Sequence, residues 1–284
     1  LAYHRKGPPL KCHFCGFYLD RVAPNCKNCK SSNILMLGTG TQKIEDIVRN
    51  TFPDSSLTRI DMDTSRSAIN LRNAISSFAN GEIDILLGTQ MIAKGLDFEN
   101  ATLVGIINAD TGLFLPDFRS GERLFQLIYQ TAGRSGRRKK PGEVIIQTYN
   151  PDNSVIKYAS SLDIESYYKM ILEERKSLNY PPYSWLAKIE FSGKDKNRLN
   201  KITEKAYNYL KPPYKGLEIL GPVDCYYEKL RNKFRMQIVL KSYKSVDPNG
   251  GKLNKYINEN LSNWSSVKYS DAKISIDINP ASLL

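Results

Sequence analysis

No stretch of this 284-residue sequence is apolar over anything like the ~20 consecutive residues a helix needs to cross a bilayer. A membrane partner is therefore not expected. A cleavable secretion leader is also absent, and Leu1 stands where an initiator Met is expected. The sequence thus reads as a segment with more chain before it, and its compartment as cytoplasmic. Histidine is scarce, and the two present, His4 and His13, read as ordinary surface residues. Internal repeats and low-complexity tracts are lacking. Acid is in short supply too, with 29 Asp and Glu against 41 Lys and Arg, for a formal charge of +12. The excess lies in both halves, +5 over residues 1–149 and +7 over 150–284. Nucleic acid would gain from counterion release against such a surface, although lysine used as a solubiliser gives the same sum. An apolar share of 41% and a charged share of 25% are ordinary for a folded protein.

Residues 1–33 carry Cys, Lys, Asn, Gly and Pro without sustained periodicity, as in a small module folded around something other than an apolar core. Residues 34–150 then alternate strand and helix. Ile34–Leu37, Arg59–Met62, Ile83–Leu87, Leu103–Ile107 and Glu143–Thr148 read as strands, and Thr41–Phe52, Ala68–Ala79 and Glu122–Thr131 as helices, with Gly81 as a stop. The continuous apolar runs at Ile83–Leu87 and Leu103–Ile107 predict strands buried on both faces of a parallel sheet, hence a doubly wound α/β layer. Residues 151–183 read as a helical connector ending at Tyr180-Pro181-Pro182-Tyr183. Residues 184–284 read as strand Trp185–Phe191, helix Asn197–Leu210, strands Leu217–Asp224 and Phe234–Leu240, helix Leu253–Trp264 and strand Ile274–Ile278. That βαββαβ order predicts an α+β split βαβ, ferredoxin-like domain.

Four of the five cysteines form two pairs, Cys12/Cys15 and Cys26/Cys29, in the spacing C-x2-C, ten residues, C-x2-C. Zinc takes four soft ligands in a tetrahedron, and two thiolates this close can share one metal from a tight turn, which Gly16 and Pro24 suit. In a protein without export signals the pairs read as structural Zn2+ ligands rather than disulfides. Which cysteines share a zinc stays open. Cys225, unpaired on a predicted strand, reads as a small core residue.

Two further segments carry chemistry. Leu87-Gly88-Thr89-Gln90-Met91-Ile92-Ala93-Lys94-Gly95-Leu96-Asp97-Phe98 follows directly on a strand, so Thr89 and Gln90 fall at its carboxyl end, where open α/β sheets hold ligands. Gly95 permits close backbone approach, and Thr89 can donate to a phosphate. Gln130-Thr131-Ala132-Gly133-Arg134-Ser135-Gly136-Arg137 ends a helix with two arginines three apart. A guanidinium fork stabilises charge on a phosphoryl group in transfer. This is the Gln-x-x-Gly-Arg-x-Gly-Arg pattern of superfamily 2 helicases.

The likeness narrows with Gly38-Thr39-Gly40-Thr41-Gln42-Lys43-Ile44-Glu45, Ile107-Asn108-Ala109-Asp110, Pro116-Asp117-Phe118-Arg119, Glu122-Arg123, Tyr180-Pro181-Pro182-Tyr183, Leu220-Gly221-Pro222, Arg231, Arg235 and Asp277-Ile278-Asn279-Pro280. Together these resemble the PriA family of replication-restart helicases over essentially the whole chain. The resemblance implies a RecA-like second helicase lobe and a C-terminal domain, without the first lobe. It implies an ATP-driven helicase that unwinds DNA 3′ to 5′ at stalled forks. It would act on forked and single-stranded DNA with the single-strand DNA-binding protein and other primosome proteins. Carried onto this sequence, Arg134 and Arg137 reach the γ-phosphate, with Arg137 as the finger. Gly95, Asp97, Gln130 and Gly133 border ATP and Mg2+. Thr89, Gln90 and Lys94 lie near the DNA backbone, and Arg231, Lys233 and Arg235 help hold DNA.

The sequence departs from the family in two ways. Two further cysteine pairs that complete a nested pair of zincs are absent, as are the Gly-x4-Gly-Lys-Ser/Thr loop and the Asp-Glu-x-His box. Those boxes cradle phosphate and magnesium, so the chain alone is expected not to hydrolyse ATP. The competing expectation is a non-catalytic DNA- and protein-binding scaffold.

Overall fold

The computed structural model describes residues 2–3, 10–11, 18–21, 24–25, 29–32, 40–60, 68–89, 101–132, 142–264 and 272–284. It divides into two compact units. One comprises Leu1–Ser32, Pro116–Phe118 and Lys169–Leu284, the other Asn33–Leu115 and Arg119–Tyr168. Strands β1 (Ala2–Tyr3), β2 (Leu10–Lys11) and β3 (Tyr18–Leu19) form a short antiparallel ladder in that order, which the aperiodic sequence does not announce. The expected strand at Ile34–Leu37 lies outside the described residues.

In the second unit, α1 (Thr41–Thr51) is tied to β4 (Leu57–Ile60) by charge. Glu45 takes Arg49 and Arg59, each at 3.0 Å. Helix α2 (Ala68–Ala79) is closed by Gly81, whose φ of +78° is the left-handed geometry a helix stop uses. Strand β5 (Ile85–Gly88) then runs parallel to β4. Strand β6 (Leu103–Ile106) pairs in parallel with β7 (Glu143–Ile146). Among the described residues these are two separate parallel pairs, and the expectation of strands buried on both faces is corrected. Strand β5 is half-buried, and β6 alternates with Leu103 59% exposed, so neither strand is covered fully on both faces. A short helix α3 (Asp110–Leu113) precedes α4 (Ser120–Ala132). Leu124, Phe125 and Ile128 of α4 are buried. So are Val155, Ile156 and Ala159 of α5 (Ser154–Ser160), whose first turn the Asn153 side chain caps at 2.9 Å. Helix α6 (Ile164–Ser177) places Tyr167 flat on Phe125, with ring centroids 3.8 Å apart.

In the other unit, β8 (Ser184–Gly193), α7 (Lys196–Asn208), β9 (Leu217–Leu230), β10 (Lys233–Tyr243), α8 (Gly251–Trp264) and β11 (Ala272–Ile278) follow in that order. The four strands form one antiparallel sheet in the order β11-β8-β10-β9. Period-two alternation sorts its faces. Ala187, Ile189, Phe191, Met236, Ile238 and Leu240 join Leu199 and Ala206 of α7 and Leu253, Tyr256 and Ile257 of α8 in a single core. Burying each large side chain contributes about 1.5–3 kcal/mol. Buried Asp247 fixes the start of α8 by accepting from the Lys252 and Leu253 amides at 3.1 and 2.9 Å.

Strand β9 breaks register with β10 between Gln237 and Val239, opposite Leu220-Gly221-Pro222. Gly221 has φ +105°, and a Cβ there would lie 2.8 Å from the Gln237 carbonyl oxygen. Glycine is required at this bulge by backbone conformation and by space. Gly221→Ala is expected to destabilise the unit by roughly 2 kcal/mol or more. Urea unfolding with an unchanged m-value and a lowered midpoint would register that loss, and an unchanged midpoint would contradict it.

Candidate nucleotide and nucleic-acid site

Parallel strands deliver ligands at their carboxyl ends. Just past the end of β5 stands Thr89, which is exposed. At the ends of β6 and β7 the structure shows a joint that sequence reading missed. Buried Asp110 accepts from the Asn150 side-chain amide at 2.8 Å, the Tyr149 backbone N–H at 2.9 Å and the Thr148 hydroxyl at 3.1 Å. Asn108 turns the chain into α3 with φ +63°, and its side-chain oxygen takes the Thr111 amide at 3.2 Å. The donors on Asn150, Tyr149 and Thr148 favour the carboxylate and hold the Asp110 pKa below its ordinary value. Its partners stand 38 to 40 residues away, and only the marker Ile107-Asn108-Ala109-Asp110 pointed to it.

Of the nucleotide-site candidates, Gln130 is exposed in the last turn of α4. Gln90, Lys94, Gly95, Asp97, Gly133, Arg134 and Arg137 lie outside the described residues. So do Cys12, Cys15 and Cys26. Cys29 is exposed and free of any disulfide. Among the described residues no cluster of metal-ligating side chains forms, so the fit to zinc rests on the donor set, four thiolates in two close pairs.

The DNA-contact candidates of the C-terminal sheet separate sharply. Arg231 and Lys233 are exposed at the tip of the β9–β10 hairpin. Arg235 is not, and its expected DNA contact is corrected. It is 8% exposed and lies on the face of the sheet away from the core, where its Nε and Nη2 donate to the two oxygens of Glu190 at 2.9 and 2.7 Å. Lys188 reaches the same carboxylate at 3.3 Å, and Arg235 Nη1 donates to the Tyr227 carbonyl at 3.4 Å. With its fork occupied in this way, Arg235 is a positioning residue for β9. Burial alone would raise the Glu190 pKa, but the Arg235 fork and charge, aided by Lys188, hold it below the usual value. Burial pushes the neighbouring Cys225 thiol up to about 11, consistent with a packing role.

Other markers prove to be joints as well. Asp117 accepts from the Ser282 hydroxyl and from the Leu283 amide at 3.1 Å. Tyr180 stacks on Phe118 at 4.9 Å, between Arg175 over Phe118 and Lys241 over Tyr180.

Arg235→Met leaves the Glu190 carboxylate with Lys188 alone and is expected to cost about 2–4 kcal/mol. That is less than the ~3–5 kcal/mol for breaking a fully buried pair, since Glu190 keeps Lys188 and 23% of its side-chain surface exposed. Adding Glu190→Gln should restore part of the loss. Because the folded pKa of Glu190 lies below its unfolded value, its contribution is complete above the unfolded value and fades as pH falls through the folded one. Urea unfolding from about pH 6 down to about pH 3 should therefore show a smaller acid loss in Arg235→Met than in the parent. Identical pH slopes would contradict the pairing.

Two protein families match the sequence. One is described as the helicase conserved C-terminal domain, over residues 19–139, and the other as the primosomal protein N C-terminal domain, over residues 176–281. Relatives named replication restart protein PriA include that of Bacillus subtilis, 40% identical over 99% of this chain and 34% of its own length. That of Borreliella burgdorferi is 38% identical over 100% of this chain and 42% of its own, and that of Chlamydia trachomatis 38% identical over 85% and 32%. The chain therefore spans roughly a third to two fifths of these relatives. With a parallel α/β unit, an antiparallel C-terminal sheet and this identity along nearly all its length, the chain belongs to the PriA family of replication restart proteins and carries that family's C-terminal domain.

Proposed function

We propose that this chain supplies the second motor lobe and C-terminal domain of an ATP-dependent 3′–5′ DNA helicase. That helicase opens stalled or collapsed replication forks in the cytoplasm and directs primosome assembly there. The observation that carries the reading is Thr89, exposed at the carboxyl end of a parallel strand, at the head of the segment reaching to Asp97. In this reading Arg134 and Arg137 stabilise charge on the transferring phosphoryl group. Gly95, Asp97, Gln130 and Gly133 border ATP and Mg2+. Thr89, Gln90 and Lys94 follow the DNA backbone, and Arg231 and Lys233 hold DNA from the C-terminal sheet. Supporting the split βαβ, ferredoxin-like class is a strand order of fourth, first, third, second with both helices on one face. Cys12, Cys15, Cys26 and Cys29 are assigned to structural zinc. DNA, the single-strand DNA-binding protein and primosome proteins are the partners. No described helix is long and apolar enough to cross a membrane.

Joined to a lobe that carries the phosphate loop and the Asp-Glu-x-His box, the Arg137→Ala variant is expected to lower ATP turnover by roughly 10³-fold or more. Turnover equal to the parent's would remove Arg137 from the finger role. DNA binding without any DNA-stimulated turnover in the joined protein would favour the scaffold reading. Cys26→Ser should lower bound zinc as read by metal analysis, and an unchanged content would exclude that ligand.

A further inference from the structure

One end of the C-terminal sheet gathers cations that sequence distance keeps apart. Strand β8 runs out at Gly193, whose backbone stands opposite Phe234 of β10 on one side and Ala272 of β11 on the other. This register brings Lys194, just past β8, level with Lys233 at the start of β10, and sets Lys273 of β11 opposite Ser192, two residues back along β8. Lys229 and Arg231 complete the β9–β10 hairpin. Lys194, Arg231, Lys233 and Lys273 are exposed. Lys229 lies over the Phe234 ring at 4.8 Å. Among the described residues none of the five forms an ion pair, whereas Lys188, Lys196, Arg235 and Lys241 of the same sheet and its flanking helix all do. Among the described residues the acids nearby are engaged: Asp224 and Glu228 by Lys196, and Asp195 as the cap of α7, accepting from the Arg198 amide at 2.8 Å.

Two details set this rim apart from a merely solvated edge. Arg231 and Asn232 both have positive φ, +48° and +62°, closing a two-residue turn in which arginine is an uncommon choice at the first position. Between Phe234 and Met236 the register of β9 slips, so that Cys225–Glu228 bulge opposite Arg235. The bulge leaves Tyr226 53% exposed, in an edge-to-face pair with Tyr227 at 4.9 Å. Cations around one sheet end together with an exposed aromatic ring are a combination that binds a single strand, by phosphate contact and base stacking. Four strands at about 4.8 Å spacing span roughly 14 Å, the length of about four stacked nucleotides.

We propose that this sheet end is a landing site for the backbone of single-stranded DNA, held by Lys194, Lys229, Arg231, Lys233 and Lys273, with Tyr226 as a stacking face. It rests on the reading of this unit as DNA-binding, and it adds the strand type and three cations outside the hairpin tip.

The test is fluorescence anisotropy on the whole chain, with a labelled oligothymidylate and a blunt duplex of equal length, over a salt series. Changing the five cations to Gln should weaken single-strand binding tenfold or more. It should also flatten the slope of log affinity against log salt by about 3.5, at about 0.7 for each phosphate no longer neutralised. Tyr226→Leu should weaken single-strand binding roughly fivefold or more with the slope kept. Should the five-site variant not fold, Arg231→Gln with Lys233→Gln should remove about 1.4 from the slope. Parent-like affinity and slope in the variants would overturn this surface while leaving DNA binding by the chain intact. A loss confined to the duplex, or confined to binding of anionic phospholipid vesicles, would overturn the single-strand assignment. No DNA binding by the parent chain would remove the underlying reading as well.

Discussion

Taking a carboxylate and a guanidinium out of water costs several kcal/mol per ion, and their attraction offsets it only where the remaining donors and acceptors are satisfied. Arg235 and Glu190 meet that condition, with two parallel fork contacts and Lys188 on the same carboxylate. The pair has a mechanical consequence. Through the Tyr227 carbonyl, Arg235 holds the irregular part of β9 against β10, close to where the hairpin leaves the sheet. Other buried cations on this face act alike. Lys188 also donates to the Leu284 backbone oxygen at 2.9 Å, and Lys241 to the Leu178 carbonyl at 3.1 Å. On the core side the sheet is held by apolar packing, on the other by cations that tie down crossing backbone.

The second unit solves a different problem with a similar device. Parallel strand ends release their chains into loops whose amides lack ladder partners. Asp110 accepts one of these amides, that of Tyr149, together with the Thr148 hydroxyl and the Asn150 side-chain amide, joining the exit of β6 to the exit of β7. Asp117, Gly221 and Tyr180 also proved to be joints, although they first drew notice as family markers. Markers of this kind report where a backbone must be held, and their presence in a motif is no sign that they touch a ligand.

Periodicity located most of the longer described helices and strands to within a few residues, because the alternation of two and the spacing of 3.6 follow directly from backbone geometry. It failed wherever partners are distant or the ladder is irregular. Strand β9 runs on to Leu230, beyond the expected end at Asp224, because its bulge breaks the alternation. The cap of α8 by Asp247 was hidden because Asn249, Gly250 and Gly251 intervene. Helical spacing across Thr41–Phe52 locates α1 but not its burial, since Ile47 and, just past its end, Phe52 are more than half exposed. Arg134, Arg137, Cys12, Cys15 and Cys26 were named from motif alone and fall outside the described residues.

Arg231 and Arg235 show what composition hides. They are four residues apart and chemically identical, yet one stands in solvent on a left-handed turn and the other lies buried on Glu190. Sheet register, set by partners some 45 residues distant, decides between them. The count of 41 Lys and Arg therefore overstates what a polyanion can meet. Cations already neutralised by carboxylates release few counterions on binding, so salt dependence should follow the exposed, unpaired set. A basic sequence thus divides into charges that build the fold and charges that face outward, and only the second group can define a nucleic-acid surface.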